Sequence, residues 1–344
     1  MNLTFGTHFA RSSGPNVKSN PKGTKAACLH DPIAETDRMP TIPDSDTVTA
    51  AWIAADWGTS TLRVWAMAAD GAPLAEATST RGMSSLTPAQ YEPALLDLAG
   101  AWLAAERVTP VIACGMVGAR QGWVEAPYTA TPCAPLAARH CVTPPTTDPR
   151  IIVSIVPGLK QMTPPDVMRG EETQIAGFLA QHPGFSGTLC LPGTHTKWVE
   201  IAGGEARSFR TMMTGELFAL LSQQSVLKHS LADGWDDAAF AAAFDAAITE
   251  PETLASRLFS LRAASLVGKP DPVAARATLS GWLIGAEFAA VPLPEGPVGV
   301  IGAAALARLY GAALAQVGQR VIAVDATAVT LQGLTQAYRT IVQG

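Results

Sequence analysis

Two short segments of this chain carry residues suited to holding phosphate: Gly58-Thr59-Ser60-Thr61 and Gly193-Thr194-His195-Thr196. A turn of this composition offers backbone N–H groups and two hydroxyls to an anion, and glycine lets a phosphate approach the main chain closely. One constant offset relates Gly58 to Gly193, Thr59 to Thr194, Thr61 to Thr196 and Val64 to Val199. A single G-T-x-T is ordinary turn chemistry, whereas two in register point to an internal duplication. Two such tips facing each other would grip a nucleotide triphosphate, in a manner distinct from the G-x-x-x-x-G-K-[ST] loop, which the sequence lacks.

Flanking residues extend this chemistry. Asp56, near the end of the first expected strand, would face the polyphosphate, where a bare carboxylate is repelled unless Mg²⁺ lies between, directly or through water. The alternative is a turn-capping aspartate. Lys197, just after the second tip, is either a point charge for a phosphate or an exposed strand lysine. His195 reads as an exposed loop residue.

Each tip needs a hairpin to present it. Strands are expected over residues 51–57 and 62–68, then a turn at Asp70-Gly71-Ala72-Pro73 and a third strand over 74–79. The second copy repeats this over 188–192 and 197–202, with a turn at Gly203-Gly204 and a strand over 206–211. A helix follows each: Tyr91, Leu95, Leu98 and Trp102 recur at helical spacing, and Leu217, Leu220, Leu221 and Leu227 share one face of the other. A strand over 110–114 ends in Gly115-Met116-Val117-Gly118. Each half therefore reads β-β-β-α followed by further α/β units.

The 344 residues are 48% hydrophobic and 15% charged, an ordinary globular composition too long for one compact core. Glycine (30) and proline (26) fall short of the ~25–30% that marks low-complexity sequence. A net charge of -5, from 24 basic and 29 acidic residues, leaves no electrostatic footprint for nucleic acid. The 5 cysteines are odd in number and form no C-x-x-C, so neither a disulfide framework nor a zinc site is signalled, which favours the cytoplasm. No uncharged apolar run approaches the ~18 residues of a membrane span; the best lies between Glu295 and Arg308. Residues 1–47 are expected to be a flexible tail, with Met39 a second candidate start of translation.

The paired tips resemble those of the actin-like ATPase and sugar kinase superfamily. More narrowly, five segments resemble the 2-keto-3-deoxygalactonate kinase (2-dehydro-3-deoxygalactonokinase) family: Asp56-Trp57-Gly58-Thr59, 115–128 (GMVGARQGWVEAPY), 166–174 (DVMRGEETQ), 191–198 (LPGTHTKW) and 209–227 (FRTMMTGELFALLSQQSVL). The likeness runs from about residue 52 to 333. It implies an α/β protein of two RNase H-like domains, here 48–182 and 183–344, with the active site in the cleft between them. It also implies ATP and Mg²⁺ as cofactors and phosphorylation of 2-dehydro-3-deoxy-D-galactonate at its terminal hydroxyl, giving the 6-phosphate of galactonate catabolism. The adenosine would sit where a buried strand over 298–302 opens at Gly302 onto a helix, since a helix N-terminus favours negative charge.

Phosphoryl transfer to an alcohol needs a base for the hydroxyl proton. Glycerol kinase-type enzymes carry an acid in a Gly-Asp-Gln-like stretch before the second tip, and Gly170-Glu171-Glu172-Thr173-Gln174 stands in that place. Glu171 aligns with the usual aspartate, with adjacent Glu172 the competing assignment. A sugar acid also needs its carboxylate held, for which Arg120 and Arg169 are the candidates. Gln121 and Glu125 are assigned to the sugar hydroxyls, whereas Trp123 and Tyr128 are expected to pack the loop. Residues 157–165 are expected at the rim of the substrate pocket. Other readings are a kinase for another sugar or sugar acid on the same scaffold, a DNA-binding regulator, disfavoured because residues before Trp52 show no helix-turn-helix pattern, and an actin-type filament ATPase. No oligomeric state is legible.

Overall fold

The structure, a computed structural model, describes residues 48–136, 140–269, 271–293 and 296–343. The expected tail lies outside them. The first half contributes β1 (Trp52–Trp57), β2 (Leu62–Met67), β3 (Pro73–Ser79), α1 (Tyr91–Ala99), β4 (Thr109–Gly115), β5 (Tyr128–Ala130), β6 (Ile151–Ile155), β7 (Gly158–Met162), β8 (Pro165–Met168) and α2 (Glu171–Gln181). The second contributes β9 (Gly187–Leu191), β10 (Thr196–Ala202), β11 (Glu205–Met212), α3 (Thr214–Gln223), α4 (Asp237–Thr249), α5 (Leu254–Val267), α6 (Pro272–Ala290), β12 (Val298–Gly302), α7 (Ala304–Gln316), β13 (Val321–Asp325) and α8 (Ala326–Tyr338).

The duplication is visible in the sheets. One has the order β3-β2-β1-β4-β6 and the other β11-β10-β9-β12-β13. In each, the first three strands form an antiparallel meander and the last two join in parallel. This is the paired RNase H-like arrangement, an α/β fold with the active-site cleft between its two halves.

Central strands buried on both faces read as apolar runs, and β1 does so from Trp52 to Ala55. Ile53, Ala55 and Trp57 point to a core shared with Tyr91, Leu95 and Ala99 around α1. Trp52 and Ala54, one residue out of phase, point to the opposite face, where Leu334, Ala337 and Tyr338 of α8 cover them. Trp52 stacks on Tyr338 with ring centroids 4.6 Å apart. The second sheet carries Phe240, Phe244, Phe288 and Tyr310 of α4, α6 and α7 on one face. Ile175 and Phe178 of α2 lie on the other. The helix after β11 differs from its expected face: Leu217 and Leu220 are exposed, Phe218 and Leu221 turn inward, and Leu227 falls on a 3-10 turn beyond α3.

The halves thus exchange a helix. α2, in the middle of the chain, packs on the second sheet, while α8, the last α-helix described, packs on the first. They cross where each lacks a side chain: a Cβ on Gly177 would lie 1.8 Å from the Val329 carbonyl oxygen, and one on Gly333 2.0 Å from that of Thr173.

The three-stranded sheet β5-β7-β8 lies against the edge of β11. Gln161 Oε1 accepts from the Phe209 amide at 2.9 Å, and the Asp166 carboxylate accepts from the Thr211 amide and hydroxyl, both at 2.7 Å. Residues 157–165 therefore serve as a brace between halves and are not among those lining the cleft.

In an exposed helix, glycine to alanine stabilises by about 1 kcal/mol. At this crossing the sign should reverse: Gly177→Ala or Gly333→Ala is expected to destabilise by roughly 1–3 kcal/mol through overpacking. Urea unfolding checks this as a lowered midpoint at unchanged slope.

Candidate active site

The cleft between the halves has a volume of about 350 Å³. Both sheets turn the C-terminal ends of parallel strands toward it, the usual place for a ligand in an open α/β sheet. From the first sheet come Asp56 to Thr59 at the end of β1, and Gly115 and Met116 at the end of β4; from the second come Leu191 to His195 at the end of β9, and Ile301 to Ala303 at the end of β12. The strand junction Arg169-Gly170-Glu171 and the residues Gln174, Ala326 and Thr330 complete the lining.

The first tip is tied down from behind. The Gly58 amide donates to the Thr61 carbonyl at 2.8 Å, and the Gly58 and Thr59 carbonyls accept from the amides of Met83 (3.0 Å) and Ser84 (2.9 Å). Beneath it Trp57 packs against Tyr91 and Trp123. The second tip is held by the start of α3: the Glu216 amide donates to the Thr194 carbonyl at 2.9 Å, and its carboxylate lies 2.6 Å from His195 Nε2. Gly58, Thr59, Gly193, Thr194 and Gly302 all line the cleft, as does His195.

Two hydroxyls do not reach it. Thr61 is exposed outside the lining, and Thr196 is fully buried with its Oγ1 3.0 Å from the Tyr310 hydroxyl. Lys197 is neither an exposed lysine nor a lining residue. Its side chain is 6% exposed and its ammonium lies 3.6 Å from Glu171 Oε1.

The acids are separated by environment. Asp56 Oδ2 is 2.5 Å from Arg63 Nη2, and Arg63 donates from Nη1 to the Thr327 hydroxyl of α8 at 2.9 Å. Asp56 Oδ1 has a long thiol contact, Cys114 Sγ at 3.9 Å. Gly170 adopts φ +104, turning the chain sharply from β8 into α2 and bringing both following glutamates back over the helix start. There the unsatisfied amides and the helix dipole favour negative charge. Glu171 Oε2 accepts from the Arg169 amide at 3.0 Å, and its side chain stays 25% exposed in the cleft. Glu172 is fully buried, accepting from the Gly170 amide at 2.7 Å and the Thr173 hydroxyl at 3.0 Å. Glu171 is thus the acid with access to a ligand, and Glu172 is an internal cap.

Arg169 is 8% exposed. Its Nη2 donates to the Ala126 carbonyl at 2.8 Å and its guanidinium stacks on Tyr128, 4.3 Å from the ring centroid. Nε and Nη1 are buried without a partner, although a guanidinium is among the groups most costly to leave unsatisfied. By contrast Arg120, Gln121 and Glu125 stand exposed on the loop after β4, outside the cleft lining; Arg120 Nε is 3.6 Å from Glu125 Oε1. These three are not brought to the site. Gly115, Gln174 and Thr330 also line the cleft; a glycine at a strand end and a polar residue one helical turn after Gly170 are the sequence signals that mark the first two.

Burial, reinforced by the neighbouring Glu171 charge, pushes the Glu172 carboxyl up from 4.5 to about 8, against the donors that it accepts from. The folded value lies above the unfolded one, so folding takes up a proton between them. This contribution to stability is full below about pH 4.5 and is lost as pH rises toward about 8. Glu172→Gln, neutral in both states, should flatten that decline, measured by urea unfolding at about pH 5 and about pH 8.

The profile of the 2-keto-3-deoxy-galactonokinase family matches residues 56–337. The chain is 40% identical over 306 residues to the "Probable 2-dehydro-3-deoxygalactonokinase DgoK1" of Rhizobium meliloti (strain 1021), covering 86% of this chain and 99% of that one. It is 36% identical over 247 residues to the 2-dehydro-3-deoxygalactonokinase of Escherichia coli (strain K12), covering 71% and 81% respectively. A crystal structure from Sinorhizobium meliloti, of a protein assigned as a 2-dehydro-3-deoxygalactonokinase, superposes with a TM-score of 0.77 at 40% identity, over 85% of this chain and 97% of that one. With matched topology, matched motifs and relatives aligned over most of their length, the chain belongs to the 2-keto-3-deoxy-galactonokinase family.

Proposed function

We propose that this protein transfers the γ-phosphoryl group of ATP to the terminal hydroxyl of 2-dehydro-3-deoxy-D-galactonate, giving the 6-phosphate and ADP. The observation that carries the reading is a buried arginine with two unpartnered nitrogens, Arg169, lining the same cleft as two glycine-threonine tips and one accessible glutamate. A carboxylate on the substrate would satisfy those donors.

The triphosphate would lie between Gly58-Thr59 and Gly193-Thr194, with the adenosine toward Gly302 and Ala303 at the start of α7. Hard oxygen donors suit Mg²⁺, and Asp56, whose Oδ1 has no stronger contact than a thiol at 3.9 Å, is the residue that would hold it, directly or through water. Bound there, the ion would supply charge neutralisation for the transferring phosphoryl group. Arg169 reaches back to Ala126 and Tyr128 while Glu171 turns toward Lys197, so the proposed carboxylate clamp and base have different neighbours in the same cleft lining. Glu171 accepts the proton of the terminal hydroxyl as its oxygen attacks the γ-phosphorus. The bond to the β,γ-bridging oxygen breaks and ADP departs. ATP as co-substrate, together with the 4 free cysteines among the described residues, fits a cytoplasmic enzyme.

ATP consumption by the purified protein against aldonates, 2-keto-3-deoxy acids and neutral sugars tests this directly; fastest turnover with a neutral sugar would overturn it. Glu171→Gln should lower kcat by roughly 10² to 10⁴ with KM for the sugar acid little changed, the pattern of a lost general base. Arg169→Ala should instead raise KM for the sugar acid, leave KM for ATP nearly unchanged and narrow the preference over a neutral analogue, losing on the order of 2 kcal/mol of binding.

A further inference from the structure

A carboxylate outside the cleft lining lies under the second tip. Glu287 of α6 is buried, and both of its oxygens accept hydrogen bonds. Oε1 accepts from Trp198 Nε1 at 2.7 Å; Oε2 accepts from the Tyr310 hydroxyl at 2.9 Å and from the Thr214 hydroxyl. Having donated to Glu287, the Tyr310 hydroxyl is left to accept from Thr196 Oγ1 at 3.0 Å. Burial raises the pKa of Glu287, and the three donors oppose that.

The elements joined here are those that build the nucleotide side of the cleft. Thr196 and Trp198 open β10 directly after the tip Gly193-Thr194-His195. Thr214 is the first residue of α3, two positions before the Glu216 that holds both Thr194 and His195. Tyr310 belongs to α7, which begins just after the lining residues Gly302 and Ala303. One side chain therefore links the foot of the tip, the helix that braces its outer side and the helix proposed to start at the adenosine. Packing alone would be served by an apolar residue of the same volume, because a buried carboxylate is costly unless every acceptor site is used in a fixed geometry. A glutamine has only one acceptor oxygen, so it would turn an amide nitrogen toward a donor on one side of the node.

We infer that Glu287 is a positioning residue of phosphoryl transfer, holding the second tip, α3 and α7 in the mutual arrangement that grips the nucleotide. This rests on the second tip being a phosphate site. Three full-length variants, Glu287→Gln, Tyr310→Phe and Thr194→Val, separate the two ideas when KM for ATP and KM for the sugar acid are measured on each, with thermal melts to establish folding. Glu287→Gln should raise KM for ATP about tenfold while KM for the sugar acid stays within about twofold. Tyr310→Phe, which keeps the ring and cuts the link to Thr196, should shift the same constant in the same direction by a smaller factor, and it decides the matter should Glu287→Gln not fold. Folded variants with wild-type KM for ATP, or with both KM values and kcat drifting together as the melting temperature falls, would overturn the role of Glu287. If Thr194→Val raises KM for ATP in that case, the tip still binds phosphate and only the positioning role is lost. If Thr194→Val also leaves KM for ATP unchanged, the phosphate reading fails and the inference falls with it.

Discussion

Two helices cross with their backbones in contact, and most of the site hangs from that crossing. α2 and α8 approach so closely that a methyl group at Gly177 or Gly333 would sit inside the partner's carbonyl oxygen. The N-terminal ends of both helices lie at the cleft, where they supply Glu171 and Gln174 on one side and Ala326 and Thr330 on the other. Because each helix is embedded in the core of the opposite sheet, the crossing fixes Glu171 relative to both glycine-threonine tips at once. A side chain at the contact would separate the helices and with them the two ends of the reaction.

A second constraint is charge. The site must take a polyanionic nucleotide and an anionic acceptor, yet three carboxylates line or border it. Each lies beside a basic group: Asp56 with Arg63 at 2.5 Å, Glu171 with Lys197 at 3.6 Å and Glu216 with His195 at 2.6 Å. Asp56 and Arg63 are only partly exposed and Lys197 is nearly buried, and desolvation of such groups offsets much of their attraction, so stability does not account for these pairs. Two like charges about 4 Å apart repel by about 4 kcal/mol at an effective dielectric of about 20, which is a large fraction of a substrate's binding energy. Partnered acids lower that barrier while keeping their oxygens available.

The duplication, the hairpins and the two tips were legible in the sequence because turn chemistry is local and the offset between Gly58 and Gly193 is constant. The directions of the side chains leaving the tips were not. Thr196 and Lys197 point to opposite faces of β10, and what covers those faces comes from far along the chain: Tyr310 for Thr196, and Glu171, carried across by α2, for Lys197. The repeat itself concealed Arg63, since its offset partner is Trp198 and the pair share no letter. Segment 115–128 lies within the family match, but its letters do not say which residues turn inward, and Arg120, Gln121 and Glu125 stand exposed. Arg169 was singled out for its charge; the stack on Tyr128 and the unsatisfied nitrogens needed coordinates. Glycines inside helices read only as weak points, so the exchange of α2 and α8 left no trace in the pattern.

That exchange bears on the order in which the chain can fold as it is synthesised. The face of the first sheet that carries Trp52, Trp65 and Met67 is covered by Leu334, Ala337 and Tyr338, residues that leave the ribosome after both sheets have been made. Until then a broad aromatic surface stays open on the nascent chain, the kind of surface on which partly folded chains associate. The first half emerges first and is completed late, since its open face waits on the emergence of α8.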